Sequence, residues 1–66
     1  MPLTLGEAYP LEQERVRELL GIYKSIPTGA FGAMMIADVL KRADEAAISG
    51  DPVAMVRMFK EMQECG

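Results

Sequence analysis

The residues best suited to chemistry surround a glycine-bearing turn that leads into an uncharged helix. An aromatic ring that can stack on a base, a mobile cation and two hydroxyl groups lie beside this turn: Tyr23, Lys24, Ser25 and Thr28. The turn itself brings backbone amides to a helix N-terminus, where the positive end of the helix dipole attracts anions: Gly29, Ala30, Phe31 and Gly32. With Arg42 and Arg57 as additional cations, these residues predict a binding site for a small anion of nucleotide size.

Each part of this predicted site also has a purely structural interpretation. The segment lacks the lysine and hydroxyl residue that complete a Walker loop, and no strand is predicted before it. Gly29 and Gly32 would equally allow two helices to approach closely. Tyr23 falls on the apolar side of its helix, and Thr28 is a natural N-cap. The ligand site and the packing role therefore stay open as alternatives.

Few residues in the chain are suited to catalysis or metal binding. There is no histidine and a single cysteine, Cys65, so histidine-centred acid–base chemistry and the usual zinc ligand sets are absent. Carboxylates at helical spacing, such as Glu14 and Glu18, lie on highly charged faces that are typical of solvated side chains. We expect no enzymatic activity, no bound metal and no cofactor.

The hydrophobic spacing predicts an all-α fold, a compact bundle of three helices at about 10–25, 29–48 and 52–64. Thr4 and Glu7 have the spacing of a capping box, but Pro10 follows closely. We therefore expect residues 1–9 to be extended or turn-like, with the relation of Pro10 to the first helix left open. The whole chain, residues 1–66, forms a single helical domain in this interpretation.

Local signals set the other helix boundaries. Pro27 disfavours a helical Ile26, so the first helix should end near Ser25. Thr28 is the expected N-cap of the second helix, and Gly50 allows a left-handed stop after it. Asp51 followed by Pro52 is a strong start for the third helix.

Composition limits the class of partner and the location. The chain has 66 residues and a formal net charge of −3, without a basic cluster, so nucleic-acid binding is disfavoured. The N-terminal residues carry neither a basic region nor a long apolar segment. We expect a cytoplasmic protein with no membrane partner.

Surplus apolar surface predicts a homo-oligomer. The segment 29–37 has no charge and should be covered on most sides, which a small chain without disulfide or metal achieves poorly. The predicted interface is rich in methionine, whose flexible thioether side chain adapts to varied surfaces; it comprises Phe31, Met34, Met35, Met55, Met58, Phe59 and Met62. The same methionine stripe is also compatible with core filling or with a groove for a foreign helix.

Several segments together resemble small proteins encoded in tailed-bacteriophage and prophage genomes: 18–20, 23–26, 29–36 and 40–46. The resemblance implies a protein that acts in the cytoplasm of the bacterial host and counters host defence. One implied activity is an oligomeric sponge that sequesters a nucleotide-derived immune signal of the cyclic nucleotide or ADP-ribose type. The alternative is a helical inhibitor or adaptor that binds a host protein through the methionine-rich face of the third helix.

Overall fold

A computed structural model describes residues 3–65; Met1, Pro2 and Gly66 lie outside the described residues. The chain forms three helices, α1 (Leu5–Ser25), α2 (Ala30–Ser49) and α3 (Pro52–Gln63). Each helix contacts the other two, which confirms the predicted three-helix bundle.

The first helix begins five residues earlier than predicted. The hydroxyl of Thr4 accepts a hydrogen bond from the amide of Glu7 at 3.3 Å, and the Glu7 carboxylate accepts one from the amide of Thr4 at 3.4 Å. This capping box starts the helix before Pro10, which lies inside it. The amide that proline lacks would have bonded to the carbonyl of Gly6, and both residues are exposed, so water can replace the missing donor. The predicted extended segment is therefore wrong from residue 5 onward.

The connection between α1 and α2 also differs from the prediction, in the residue that caps α2. Gly29, and not Thr28, is the N-cap of α2, and no side chain caps this helix. The Gly29 amide instead donates a hydrogen bond to the Ile26 carbonyl at 2.9 Å, which closes the turn tightly. The prediction that Thr28 caps the helix is wrong because the tight turn places the helix start one residue later.

The connection between α2 and α3 agrees with the sequence signals. Gly50 ends α2 in the left-handed conformation with φ 70°, which glycine adopts without a steric penalty. The carboxylate of Asp51 accepts a hydrogen bond from the Val53 amide at 3.0 Å, and Pro52 opens α3. The two helices are thus joined by a very short turn and run back along each other.

The core lies where the three helices meet. Its buried side chains come from every helix: Tyr9, Val16, Ile36, Leu40, Ala43, Ala46, Met58 and Met62. Tyr9 and Phe59 stack with their ring centroids 6.4 Å apart, which joins the start of α1 to the middle of α3.

Polar contacts hold α1 against α2. The Tyr9 hydroxyl donates a buried hydrogen bond to the Ala43 carbonyl at 2.6 Å. One and two turns farther along α1, Gln13 donates a hydrogen bond to the Asp44 carboxylate at 2.8 Å and Arg17 pairs with that carboxylate at 3.2 Å. These contacts set the register of the two long helices.

Replacing Tyr9 with phenylalanine should lower the free energy of unfolding by about 1 kcal/mol at pH 7, because the buried hydrogen bond is lost. Burial, followed by the charge of Asp44, raises the pKa of Tyr9 above its ordinary value of 10.0, so the folded state favours the neutral phenol. This contribution is present below the ordinary pKa and is lost as pH rises through the raised one. Urea unfolding of the natural protein and of Tyr9→Phe would be measured at pH 7 and above about pH 10. The difference between their free energies of unfolding should be smaller at the alkaline pH.

Tyr23→Phe is the matched control, since the Tyr23 hydroxyl makes no hydrogen bond within residues 3–65. Equal stability of Tyr9→Phe and the natural protein at neutral pH would contradict the assigned role of the Tyr9 hydroxyl.

Candidate functional site

The most unusual surface of the molecule follows from a mismatch in helix length. At about 1.5 Å per residue, α2 with 20 residues is about 30 Å long and α3 with 12 residues is about 18 Å long. Because α3 starts beside the end of α2 and runs back along it, α3 stops about 12 Å short of the start of α2. The first turns of α2 are therefore covered only incompletely by α3, whose end borders a groove beside Gly32 and Met35.

This overhang exposes three large apolar side chains. Phe31, Met34 and Met35 have exposed fractions of 70%, 64% and 55%; we call these residues the α2 patch. On the other side of the same turns, Ala33 and Ile36 are buried. Within one chain, the uncharged start of α2 is thus buried on one face, whereas the sequence predicts that most of its sides are covered.

An open groove lies beside the α2 patch where α3 ends. Its volume is about 350 Å³, and α1 and α2 form its apolar walls with Tyr23, Gly32, Met35, Ile36 and Val39. The end of α3 supplies the polar side of this end groove with Glu61, Glu64 and Cys65. The groove is the space that another turn or two of α3 would fill.

The end of α3 is held in place from α1. The guanidinium of Arg15 donates hydrogen bonds to the carbonyl oxygens of Met62 at 2.6 Å and of Cys65 at 3.2 Å, and Glu12 fixes the same guanidinium at 2.9 Å. The last carbonyls of a helix lack intrahelical donors, and a cation there is favourable. The polar side of the end groove is therefore built on a braced helix end.

Cys65 presents a neutral thiol to this groove. Its Sγ lies 3.6 Å from the Glu61 carbonyl oxygen. Burial raises the pKa of the Cys65 thiol, against a smaller opposing effect of Arg15. The carboxylates that line the groove are those of Glu64 and of Glu61, which pairs with Arg42 at 3.2 Å.

The two glycines of the predicted anion site serve packing inside the chain. A Cβ atom at Gly32 would lie 2.7 Å from the Tyr23 ring, and one at Gly29 would overlap the Tyr23 carbonyl oxygen. The α1–α2 turn can close only because both positions lack a side chain. Tyr23 is half-buried, and the Cδ2–Cε2 edge of its ring faces Gly32.

The remaining residues of the predicted anion site do not converge. The Ser25 hydroxyl donates to the Ile22 carbonyl at 2.7 Å, which uses it within its own helix. Arg42 lies 13 positions after Gly29, or about 20 Å along α2, where it pairs with Asp38 at 3.1 Å and with Glu61 at 3.2 Å. The other residues of the set that lie near the turn are exposed: Lys24, Thr28, Ala30 and Phe31.

Arg57 joins Arg42 in a separate, open groove between α2 and α3. Two carboxylates, those of Glu45 and Glu61, line the same groove. Arg42 is thus paired with acidic residues and Arg57 lies in the same groove, so both predicted cations lie away from the turn, and a single chain does not assemble the predicted nucleotide site.

The predicted interface is split in the same way. Met58 and Met62 are buried in the core of their own chain, so their assignment to an interface is wrong. Met55 and Phe59 are partly buried and pack against that core. The large apolar residues of α3 that do reach the surface are Val53 and Val56, which lie outside the predicted interface. Val53 and Val56 are three residues apart on the side of α3 opposite the methionine stripe, and this spacing is the feature of the sequence that indicates a second apolar face.

Within residues 3–65, no helix is long and apolar enough to cross a bilayer. Nor do three carboxylate or thiol side chains of the described part of the chain come together as metal ligands would.

Comparisons with known proteins add no constraint beyond this geometry. No family model, curated protein or solved structure matches this chain. The exposed surfaces of the molecule are therefore the guide to its function.

Proposed function

We propose that this chain is a non-enzymatic binding protein that covers a surface of another protein with the α2 patch. The observation that carries the proposal is the exposure of Phe31, Met34 and Met35 side by side on the overhanging start of α2. Contiguous exposed apolar side chains on a small protein are typical of interaction sites. Aromatic residues and methionine are also the types enriched in the cores of such interfaces.

The scaffold makes this surface a rigid one. Ala33 and Ile36 anchor the inner face of the same turns in the bundle, and the contact of Tyr23 with Gly32 fixes the start of α2 against α1. A preorganised helix face loses little conformational entropy when it binds. The thioether side chains can still adapt to the shape of a partner.

The resemblance to phage-encoded proteins suggests a bacterial host protein as the partner. This proposal keeps the inhibitor or adaptor activity from the sequence analysis and moves its surface from α3 to α2. The nucleotide sponge stays a prediction, which a thermal-shift panel of cyclic dinucleotides and ADP-ribose derivatives would test, with Lys24→Ala as the loss-of-binding variant.

Met34→Glu tests the proposed surface. A methionine that becomes buried at an interface contributes about 1.5–3 kcal/mol, so a charge at this position should weaken partner binding by at least about tenfold. The immobilised natural protein and the variant would be exposed to the same bacterial lysate, and the retained proteins identified. Affinities would then be measured with the purified partner by calorimetry.

Ile48→Glu is the matched control, because Ile48 is 87% exposed on the same helix but lies at its other end. We expect a partner that the natural protein and Ile48→Glu retain equally and that Met34→Glu loses. A partner that Met34→Glu retains with unchanged affinity would overturn the assignment of the binding surface.

A further inference from the structure

The methionines of this chain differ sharply in their access to solvent. Met34 and Met35 are each more than half exposed, and they are two of the three residues of the α2 patch. Met58 and Met62 are buried in the core, with exposed fractions of 7% and 0%. A dissolved oxidant therefore reaches the sulfur atoms of the proposed binding surface and not those of the core.

Oxidation of a thioether changes the property on which the α2 patch depends. When hydrogen peroxide transfers one oxygen atom to a methionine, a bond between sulfur and oxygen forms and the bond between the two peroxide oxygens breaks. The sulfur loses two electrons, and the peroxide is reduced to water. The resulting sulfoxide is polar, and a polar group that is buried without a hydrogen-bond partner weakens an interface.

We propose that Met34 and Met35 form a reversible oxidation site that switches off the binding surface of this protein. The switch rests on the proposed function, because it regulates the same patch. Oxidation acts on the free protein, since a bound partner would cover both sulfur atoms. A dithiol reductant restores the thioether, and the dithiol becomes a disulfide with release of water.

The fold of the chain does not depend on these two side chains. Among the described residues, the core and the side chains packed against it include neither Met34 nor Met35. Ala33 and Ile36, which anchor the same turns of α2, contain no sulfur. A sulfoxide oxygen at either methionine stays in water in the free protein, so oxidation should change the surface and leave the bundle intact.

Two further sulfur atoms are less accessible to an oxidant. Met55 and Cys65 are only partly exposed, and both pack against the core. Burial also raises the pKa of the Cys65 thiol, which leaves little of the thiolate that reacts with peroxide. Oxidation of the described part of the chain should therefore begin in the α2 patch.

Limited oxidation of the full chain with hydrogen peroxide tests this selectivity, with mass spectrometry of peptides to locate the added oxygen. We expect oxidation of Met34 and Met35 before Met55, and of Met58 and Met62 only after unfolding in urea. The circular dichroism spectrum and the urea midpoint should not change when the patch is oxidised. Equal oxidation of core and patch, or loss of helix on patch oxidation, would overturn the proposal.

The double variant Met34→Leu with Met35→Leu is the matched control, because leucine keeps the apolar volume and has no sulfur. It retains every other methionine of the chain. Hydrophobic-interaction chromatography measures the apolar surface without a partner. The oxidised natural protein should elute earlier and return to its original position after treatment with methionine sulfoxide reductase and dithiothreitol. An equal shift of the double variant would assign the change to another residue and contradict the proposal.

Partner binding tests the switch itself. With a purified partner that Met34→Glu fails to retain, oxidation of the natural protein should weaken binding by at least about tenfold. The double variant should bind equally before and after peroxide treatment, and Cys65→Ser should respond as the natural protein does.

The two proposals fail in different ways. A partner that Met34→Glu loses, but that binds with unchanged affinity to protein oxidised at both methionines, would overturn the switch and leave the proposed function in place. The absence of any partner that depends on Met34 would overturn the proposed function and, with it, the switch.

Discussion

Met62→Ala is expected to lower the free energy of unfolding by about 2–5 kcal/mol, the range for a buried methionine that leaves a cavity. The Met62 side chain is fully buried, with an exposed fraction of 0%, and lies where α3 meets both other helices. At about 0.05–0.15 kcal/mol per residue, a domain of this size has only about 3–10 kcal/mol of total stability. The variant should therefore lose a large share of the total stability, and its urea midpoint should fall well below that of the natural protein.

Met34→Ala is the matched control for this prediction, because it makes the same chemical change at a position that is 64% exposed. We expect its effect to stay within about 0.5 kcal/mol. Urea unfolding followed by circular dichroism, at a dilution where the chain is monomeric, compares the two variants directly. Similar losses for both would contradict the assignment of Met62 to the core and of Met34 to the surface.

Gly29→Ala should destabilise the protein by about 1–3 kcal/mol, the usual effect of an atom added to a filled space. The new Cβ atom would overlap the Tyr23 carbonyl oxygen and lie 3.2 Å from the Ile26 Cβ atom. The turn between α1 and α2 would have to open, which also separates Tyr23 from Gly32. The effect arises from contacts alone, since Gly29 has an ordinary φ of −90°.

Gly21→Ala controls for the general effect of replacing glycine. No atom lies within 4 Å of a Cβ atom at Gly21, which is exposed inside α1, so alanine should stabilise the helix by about 1 kcal/mol. The two variants should thus shift the urea midpoint in opposite directions. A midpoint for Gly29→Ala at or above that of the natural protein would show that the turn tolerates a side chain.

Most helix boundaries could be predicted from the sequence because their causes are local. The restriction that Pro27 imposes on Ile26 ends α1 at Ser25, and the pair Asp51–Pro52 opens α3. The errors occur where two local signals compete. At the start of α1 the hydrogen bonds of the capping box of Thr4 and Glu7 outweigh the one hydrogen bond that Pro10 cannot donate. The sequence alone does not give the relative size of these two effects.

The sequence by itself determined that this protein is a bundle of three helices, since hydrophobic spacing, caps and breakers act within a few residues of each other. Only the tertiary structure decided which apolar residues are inside. Met58 and Met62 fill the core while Phe31 and Met34 reach the surface, although all four lie in apolar segments. The physical reason is that burial depends on how far the neighbouring helices extend: α3 is too short to cover the start of α2, and the separation along the helices keeps Arg42 and Arg57 from the turn.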